Sequence, residues 1–229
     1  MTPRRAIRVN RAARAATAQA RRALTRERLL DAAQAVIASK GLAGATIENF
    51  VKEAGVARGT FYNYFPTIAD LVHALNGRLA ARMGKLLGEI AARPAPPATR
   101  LGASLHAILA ACARDPALGW VAFQLAGSSL PRQPAYEQAF AELYREGCHV
   151  GQFREVDLNA AFTVSFGAVR MAMRDVVAGA APAQGVHVVA LVLTALGLDF
   201  AEAERISREE AVLAQASPPS SGDGRTDQP

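Results

Sequence analysis

The sequence predicts an all-α protein with a small basic N-terminal helix-turn-helix head and a larger C-terminal helical body. Three observations carry that reading. Apolar residues recur at helical spacing along nearly all of the 229 residues, and no stretch alternates with the period of two that a half-buried strand requires. Pro, Gly and Asp fall at the ends of those periodic stretches, where helices start and stop. Charge is divided: residues 1–78 hold 13 Lys and Arg against 5 Asp and Glu, whereas residues 79–229 hold 13 against 15, so the net charge of +6 arises at the N-terminal end. Such a segment suits a polyanion partner or a merely solvated face.

The elements follow in order. Residues 1–22 carry Arg4, Arg5, Arg8, Arg11, Arg14, Arg21 and Arg22 and no acid. No apolar core of an export signal follows them, so they are expected to form a disordered basic arm. It either reaches phosphate or the minor groove of DNA, or is a tail without a contact. A first helix is expected from Thr25 as N-cap, with Leu29, Leu30, Ala33, Val36 and Ile37 on one face and a stop at Gly41. Thr46 caps a second helix whose inward positions are Ile47, Phe50, Val51 and Ala54, and Gly55 ends it in a turn that needs positive φ. A third, short helix runs from Ala57 to Tyr64, and the trio reads as a helix-turn-helix.

Pro66 and Thr67 break and restart the chain. Thr67 and Asp70 have the spacing of a capping box with Asp in place of Glu, opening a helix over 68–92. "RPAPPAT" at 93–99 is a linker, and helices are expected at about 100–113, 116–128, 133–149, 157–179 and 184–205. The stretch "SPPSSGDGRTDQP" is rich in Pro, Ser and Gly and is expected to be disordered. The domain plan is an arm (1–22), a head (23–70), a body (71–210) and a tail (211–229).

Chemistry concentrates in "VARGTFYNYF", residues 56–65. On a helix, Val56, Phe61 and Phe65 fall inward, while Arg58, Gly59, Thr60, Tyr62 and Asn63 fall outward or at the rim. A helix that reads DNA presents side chains to base edges in a major groove about 12 Å wide and is held by phosphate contacts that set register. Arg58 suits guanine or phosphate, Thr60 a thymine methyl or phosphate, and Asn63 adenine N6 and N7. Gly59 lets the backbone approach closely, and Tyr62 combines a packing ring with a hydroxyl for phosphate. Thr46, at a helix start, joins backbone N–H groups in holding a phosphate. Core packing is the other reading of the aromatics, and it is the one taken for Phe61 and Phe65.

From Thr25 to Val72, about a fifth of the chain, the sequence resembles the TetR/AcrR family of bacterial transcription regulators. The resemblance rests on a glycine-ended first helix, a Thr-capped second helix, "AGV-x-x-G-T-F/L-Y-x-Y/H-F" and a restarting fourth helix. It implies that Tyr64 touches phosphate. It also implies a homodimer through the last two long helices, "AAFTVSFGAVRMAMRDVV" and "VHVVALVLTALGLDF", which are apolar nearly all round. The family's middle helices enclose an effector pocket. The candidates to line one are His106, Trp120, Phe123, Gln124, Tyr136, Phe140, Phe166, Arg170 and Met173, with ordinary core packing the alternative for each. Arg170 and Arg174, one turn apart, need a carboxylate partner or an acidic ligand if buried. Two positions depart from the family pattern: Ala57 replaces the usual Ser or Thr cap, and Ile68 replaces a Lys that meets the DNA backbone.

The function implied is a sequence-specific DNA-binding transcriptional regulator in the cytoplasm, a repressor relieved by a small-molecule effector. Its partners would be double-stranded operator DNA, the effector and a second copy of the chain. The alternatives are a helical small-molecule-binding or catalytic protein that keeps such a head, and an effector-independent regulator or activator. No nucleophile–base pair, phosphate loop, carboxylate dyad or metal-ligand spacing is present in the sequence, so no enzyme, cofactor or metal is expected. Cys112 and Cys148 read as buried free thiols. No apolar run approaches the roughly 18 residues of a membrane span.

Overall fold

The computed structural model describes residues 4–127 and 134–216, with the backbone alone for 4–12, 134, 135 and 182. Ten α-helices run through the described residues, with no strand among them. They are α1 (Arg4–Lys40), α2 (Ile47–Ala54), α3 (Arg58–Tyr62), α4 (Ile68–Ala91), α5 (Pro97–Arg114), α6 (Pro116–Ala126), α7 (Pro134–His149), α8 (Leu158–Val177), α9 (Pro182–Leu196) and α10 (Phe200–Ala216). The chain divides into two units, Met1–Asn76 and Gly77–Pro229, six residues past the expected border at 70.

In the first unit, Leu29, Leu30, Ala33, Val36 and Ile37 of α1 are buried, as are Phe50 and Ala54 of α2, Phe61, Phe65, and Leu71 and Leu75 of α4. Local chemistry bounds these helices. Thr46 Oγ1 accepts from the Asn49 N–H and Asn49 Oδ1 accepts from the Thr46 N–H, a reciprocal box that satisfies two amides at the start of α2. Gly55 closes α2 at φ 61°, a left-handed conformation that a side chain would strain. Arg28 Nη2 donates to the Ala54 carbonyl at 2.7 Å, so α1 satisfies a terminal carbonyl of α2. Thr67 and Asp70 form the expected box at α4: the Thr67 N–H donates to Asp70 Oδ2 and the Asp70 N–H to Thr67 Oγ1.

The N-terminal segment differs from the expectation. Residues 4–22 are the first half of α1, not a disordered arm. Thr25 lies inside that helix, and its hydroxyl donates to the Arg21 carbonyl instead of capping. The cause is composition: between Arg11 and Arg22 the chain is mostly Ala, the strongest helix former. Once α1 is nucleated by its packed half, each further residue adds a hydrogen bond without a second nucleation cost.

In the second unit α5 is central, packing against α6, α7, α8, α9 and α10, and its residues 101–107 are all buried. The core joins Leu101, Leu105 and Leu109 to Phe140, Phe162, Val169, Val189, Leu193 and Ile206. The helix expected over 184–205 is two helices. Gly197 sits at φ 127° and lets the Arg154 N–H reach the Leu196 carbonyl at 2.7 Å. A Cβ on Gly197 would stand 2.7 Å from that same Arg154 nitrogen, so the break requires glycine both for its conformation and for its space. α10 then continues to Ala216, through residues 211–216 of the expected tail. Residues 217–229, and most of the expected 128–134 border, lie outside the described residues.

No described helix is long and apolar enough to cross a membrane. Cys112 is a buried free thiol, pushed up to about 11 chiefly by burial, with Asp115 adding to the shift, while Cys148 is only partly buried.

Candidate functional site

The short helix α3 is anchored by its own aromatic residues. Phe61 is fully buried and Phe65 is 3% exposed. The Phe61 ring lies parallel to that of Phe50 of α2 at 6.5 Å and 6.1 Å from that of Phe65. Val56, expected inward, is only half-buried. Against this anchor, Arg58, Gly59, Tyr62 and Asn63 are exposed, with Tyr62 at 45%, while Thr60 and Tyr64 are half-buried. Tyr62 meets Phe61 edge-on at 5.6 Å, so its ring is fixed while its surface stays open.

α3 is shorter than expected. It begins at Arg58 with Ala57 as N-cap, and no side chain bonds its first amides. Asn63 is its C-cap, and Tyr64 follows the helix in a turn. Arg58 Nη1 donates to Glu48 Oε1 of α2 at 2.6 Å. A hydrogen bond with Tyr62, then the Glu48 charge, holds the guanidinium above its ordinary value. The pair is exposed on both sides, so water competes for it at little cost.

Thr60, Asn63 and Tyr64 form one wall of a groove of about 850 Å³, whose other wall is the exposed first half of α1. The side chains there are Arg14, Thr17, Ala18, Arg21 and Arg22, and the Arg22 guanidinium stands 5.7 Å from the centre of the Tyr64 ring. The expected interface residues therefore separate. Thr60, Asn63 and Tyr64 share the groove, Arg58 is paired with Glu48, Tyr62 packs edge-on against Phe61, and Thr46 is occupied in the box of α2. Sequence reasoning missed Arg14 and Arg21 as parts of a built wall. The signal was their spacing of seven residues with Thr17 and Ala18 between, which places all four on one helix face.

The nine effector candidates make several distinct sets of contacts within the second unit. His106 is buried and its Nε2 lies 2.8 Å from Ser207 Oγ. Ser207 in turn donates to the Val186 carbonyl at 2.7 Å, so its oxygen accepts the His106 N–H, tying α5, α9 and α10 together. Burial lowers His106 to about 4, against a smaller raising effect from the Ser207 backbone, which keeps the ring neutral. Trp120 and Phe123 stack at 5.3 Å, and the Arg170 guanidinium lies 4.2 Å from the centre of the Phe123 ring, a cation–π contact. Phe140, Phe162 and Phe166 form an aromatic row with spacings of 5.4 Å. Phe162, its middle member, was not singled out, although it stands four residues before Phe166 on α8. Met173 belongs to the core. Gln124 and Tyr136 are half-buried, and burial pushes Tyr136 up to about 12.

Phe140 is the one candidate that lines a second concavity of about 230 Å³, between α7 and α8. Arg174 is exposed, so the need for a buried partner does not arise, and it pairs with its neighbour Asp175 at 2.8 Å. No cluster of metal-ligating residues occurs among the described residues.

Comparison with known proteins places this geometry. Residues 29–75 match the model of the tetR family of bacterial regulatory proteins. Over 49 residues the chain is 49% identical to YvdT of Bacillus subtilis (strain 168), an uncharacterized HTH-type transcriptional regulator. That match covers 21% of this chain and spans a quarter of the relative's length. The fold is shared with RolR, solved with the ligand resorcinol, at TM-score 0.62 and 24% identity over 82% of this chain and 95% of that one. It is shared also with FadR of Bacillus subtilis in complex with stearoyl-CoA, at TM-score 0.58 and 22% identity over 83% and 97%. The head over residues 29–75 thus matches the tetR-family model, and the fold along most of the chain is the one shared with these solved structures.

Proposed function

We propose that this protein is a sequence-specific DNA-binding transcriptional regulator, a repressor released by a small-molecule effector, and that it has no catalytic activity of its own. The observation that carries the reading is the division of α3 and its flank: two buried phenylalanines hold a segment whose Arg58, Tyr62 and Asn63 face solvent while Thr60 and Tyr64 are half-buried. Arg58, Gly59, Thr60, Tyr62 and Asn63 are the base-reading and groove-facing group. Tyr64, and Thr46 at the start of α2, hold phosphate. Thr46 Oγ1 accepts within its box and keeps its proton for an outside acceptor.

The body supplies dimerisation and effector binding. Val164 and Met171 on α8 and Leu191 on α9 are large apolar side chains left in water. Packing α8 and α9 against a second copy would bury them, which supports a homodimer through these helices. Effector binding is supported by the resorcinol and stearoyl-CoA complexes of the two regulators of the same fold. The cluster of Trp120, Phe123 and Arg170 is the chemistry best suited to an aromatic or anionic effector here. The protein acts in the cytoplasm, where its DNA is.

The test is selection of duplexes from a random-sequence pool by the full chain, followed by fluorescence anisotropy. A recovered consensus, bound more tightly than a scrambled duplex, supports the reading. No preferred duplex at low salt overturns it. Sizing at micromolar concentration tests the dimer, and a strict monomer refutes it.

A further inference from the structure

Resting on that reading, we infer that the N-terminal half of α1 is a second DNA-binding element: its arginine stripe and the end of α3 form one cleft for a phosphodiester strand of duplex DNA. The groove has the right chemistry for an anion and for little else. Its α1 wall presents Arg14 and Arg21, with Ala18 between them keeping the floor low. No carboxylate lines it, and the first acid in the chain is Glu27. No ion pair engages Arg14 or Arg21 among the described residues. Thr17 Oγ1 donates to the Ala13 carbonyl and Thr25 Oγ1 to the Arg21 carbonyl, so both hydroxyl protons are committed to the helix. The guanidinium groups are then the donors that α1 offers to the cleft.

Spacing fits the ligand. Arg14 and Arg21 are seven residues apart, about 10 Å along a helix axis. One DNA strand presents a phosphate for each roughly 3.4 Å of duplex axis, so the two guanidinium groups meet different phosphates. The opposite wall carries Thr60, Asn63 and Tyr64, and Arg22 over the Tyr64 ring ties the walls together. A strand in this cleft is gripped on its outside by α1 while α3 enters the adjacent major groove. The element also answers the two departures in the head, Ala57 without a hydroxyl and Ile68 without a charge: the missing phosphate contacts are replaced from α1.

The experiment uses the full chain and two labelled duplexes, the one selected from the random pool and a scrambled control, titrated from 50 to 200 mM salt. Three proteins are compared: the parent, Arg14→Ala/Arg21→Ala, and Ala16→Pro. Each phosphate contact contributes close to one unit of the slope of log affinity against log salt. The double variant is expected to lose about two units of slope and about tenfold in affinity on both duplexes, with the preference between them unchanged. Ala16→Pro keeps every charge but breaks the helix between the two arginines, and it is expected to lose affinity and slope in the same direction. A double variant with the parent slope overturns the inference. So does a proline variant that binds like the parent, because the arginines would then act from any conformation. If the double variant loses the preference for the selected duplex, α1 reads bases instead of gripping phosphate, and the inference falls. If the parent selects no duplex at all, the regulator reading itself falls and this one with it.

Discussion

Arginine does opposite work in the two units. In the head, Arg14 and Arg21 face an open groove without a carboxylate, and Arg58 holds Glu48 in a pair exposed on both sides. In the body, Arg93 reaches Glu210, whose side chain is 5% exposed, and Arg100 bonds both Glu146 and the Ala91 carbonyl. A guanidinium whose partner is buried is structural, because removing it leaves a charge without water or counter-ion. One left in water adds little to stability and keeps its charge for a partner that is not part of the chain. These arginines therefore mark function in one unit and architecture in the other, and burial of the guanidinium or of its partner separates them.

The largest break in that contrast is Arg93→Ala. It should lower the stability of the body by about 3 kcal/mol or more, since Glu210 stays buried without its cation, and denaturant unfolding measures it. Acid is next. His106 is neutral in the fold, lowered to about 4 from an unfolded value of 6.5. The folded state therefore binds fewer protons than the unfolded state between those values, and stability falls as pH drops through that window. The loss is on the order of 3 kcal/mol by pH 4. Melting temperature against pH should show this slope, and His106→Leu should flatten it.

Arg58→Ala tests the other side of the contrast. DNA binding should weaken by about 1–3 kcal/mol, with stability unchanged within about 0.5 kcal/mol. A large stability loss there would mean that the head's arginines are structural too. Ala57→Ser restores a cap to α3 and should add about 1 kcal/mol to the head, read by thermal melting. The smallest effect is that of Glu48→Gln, which frees Arg58 and removes a negative charge beside the proposed DNA face. Affinity should rise a few-fold on selected and scrambled duplexes alike.

Much of the head was legible because its signals are local. Thr46 with Asn49 and Thr67 with Asp70 are boxes spanning four residues, and Gly55 is a single conformational requirement. The register of Phe61 and Phe65 against Tyr62 and Asn63 follows from one helical turn, and the observed burial matches it. Two local signals were misweighed. The run from Arg11 to Arg22 reads as an arm when its charge is counted and as a helix when its alanines are. Gly197 stands inside an apolar run whose periodicity passes through it, yet its backbone breaks the helix.

The effector candidates were less legible. His106 and Trp120 both sit on apolar helices, and nothing near either in sequence tells that one meets Ser207, 101 residues away, while the other stacks on a neighbour three residues on.

By itself the sequence determined the all-α class, the caps and stops of the head, the anchored and exposed faces of the α3 segment, and the unequal charge of the two ends. Each of these depends on interactions within about one helical turn, or on composition alone. Tertiary structure decided which arginines are free and which are paired. It also decided that the first half of α1 stands against Thr60, Asn63 and Tyr64 as one groove, and that His106 is held neutral. Those outcomes depend on which distant segments meet, and a burial cost or a shared wall exists only once they do.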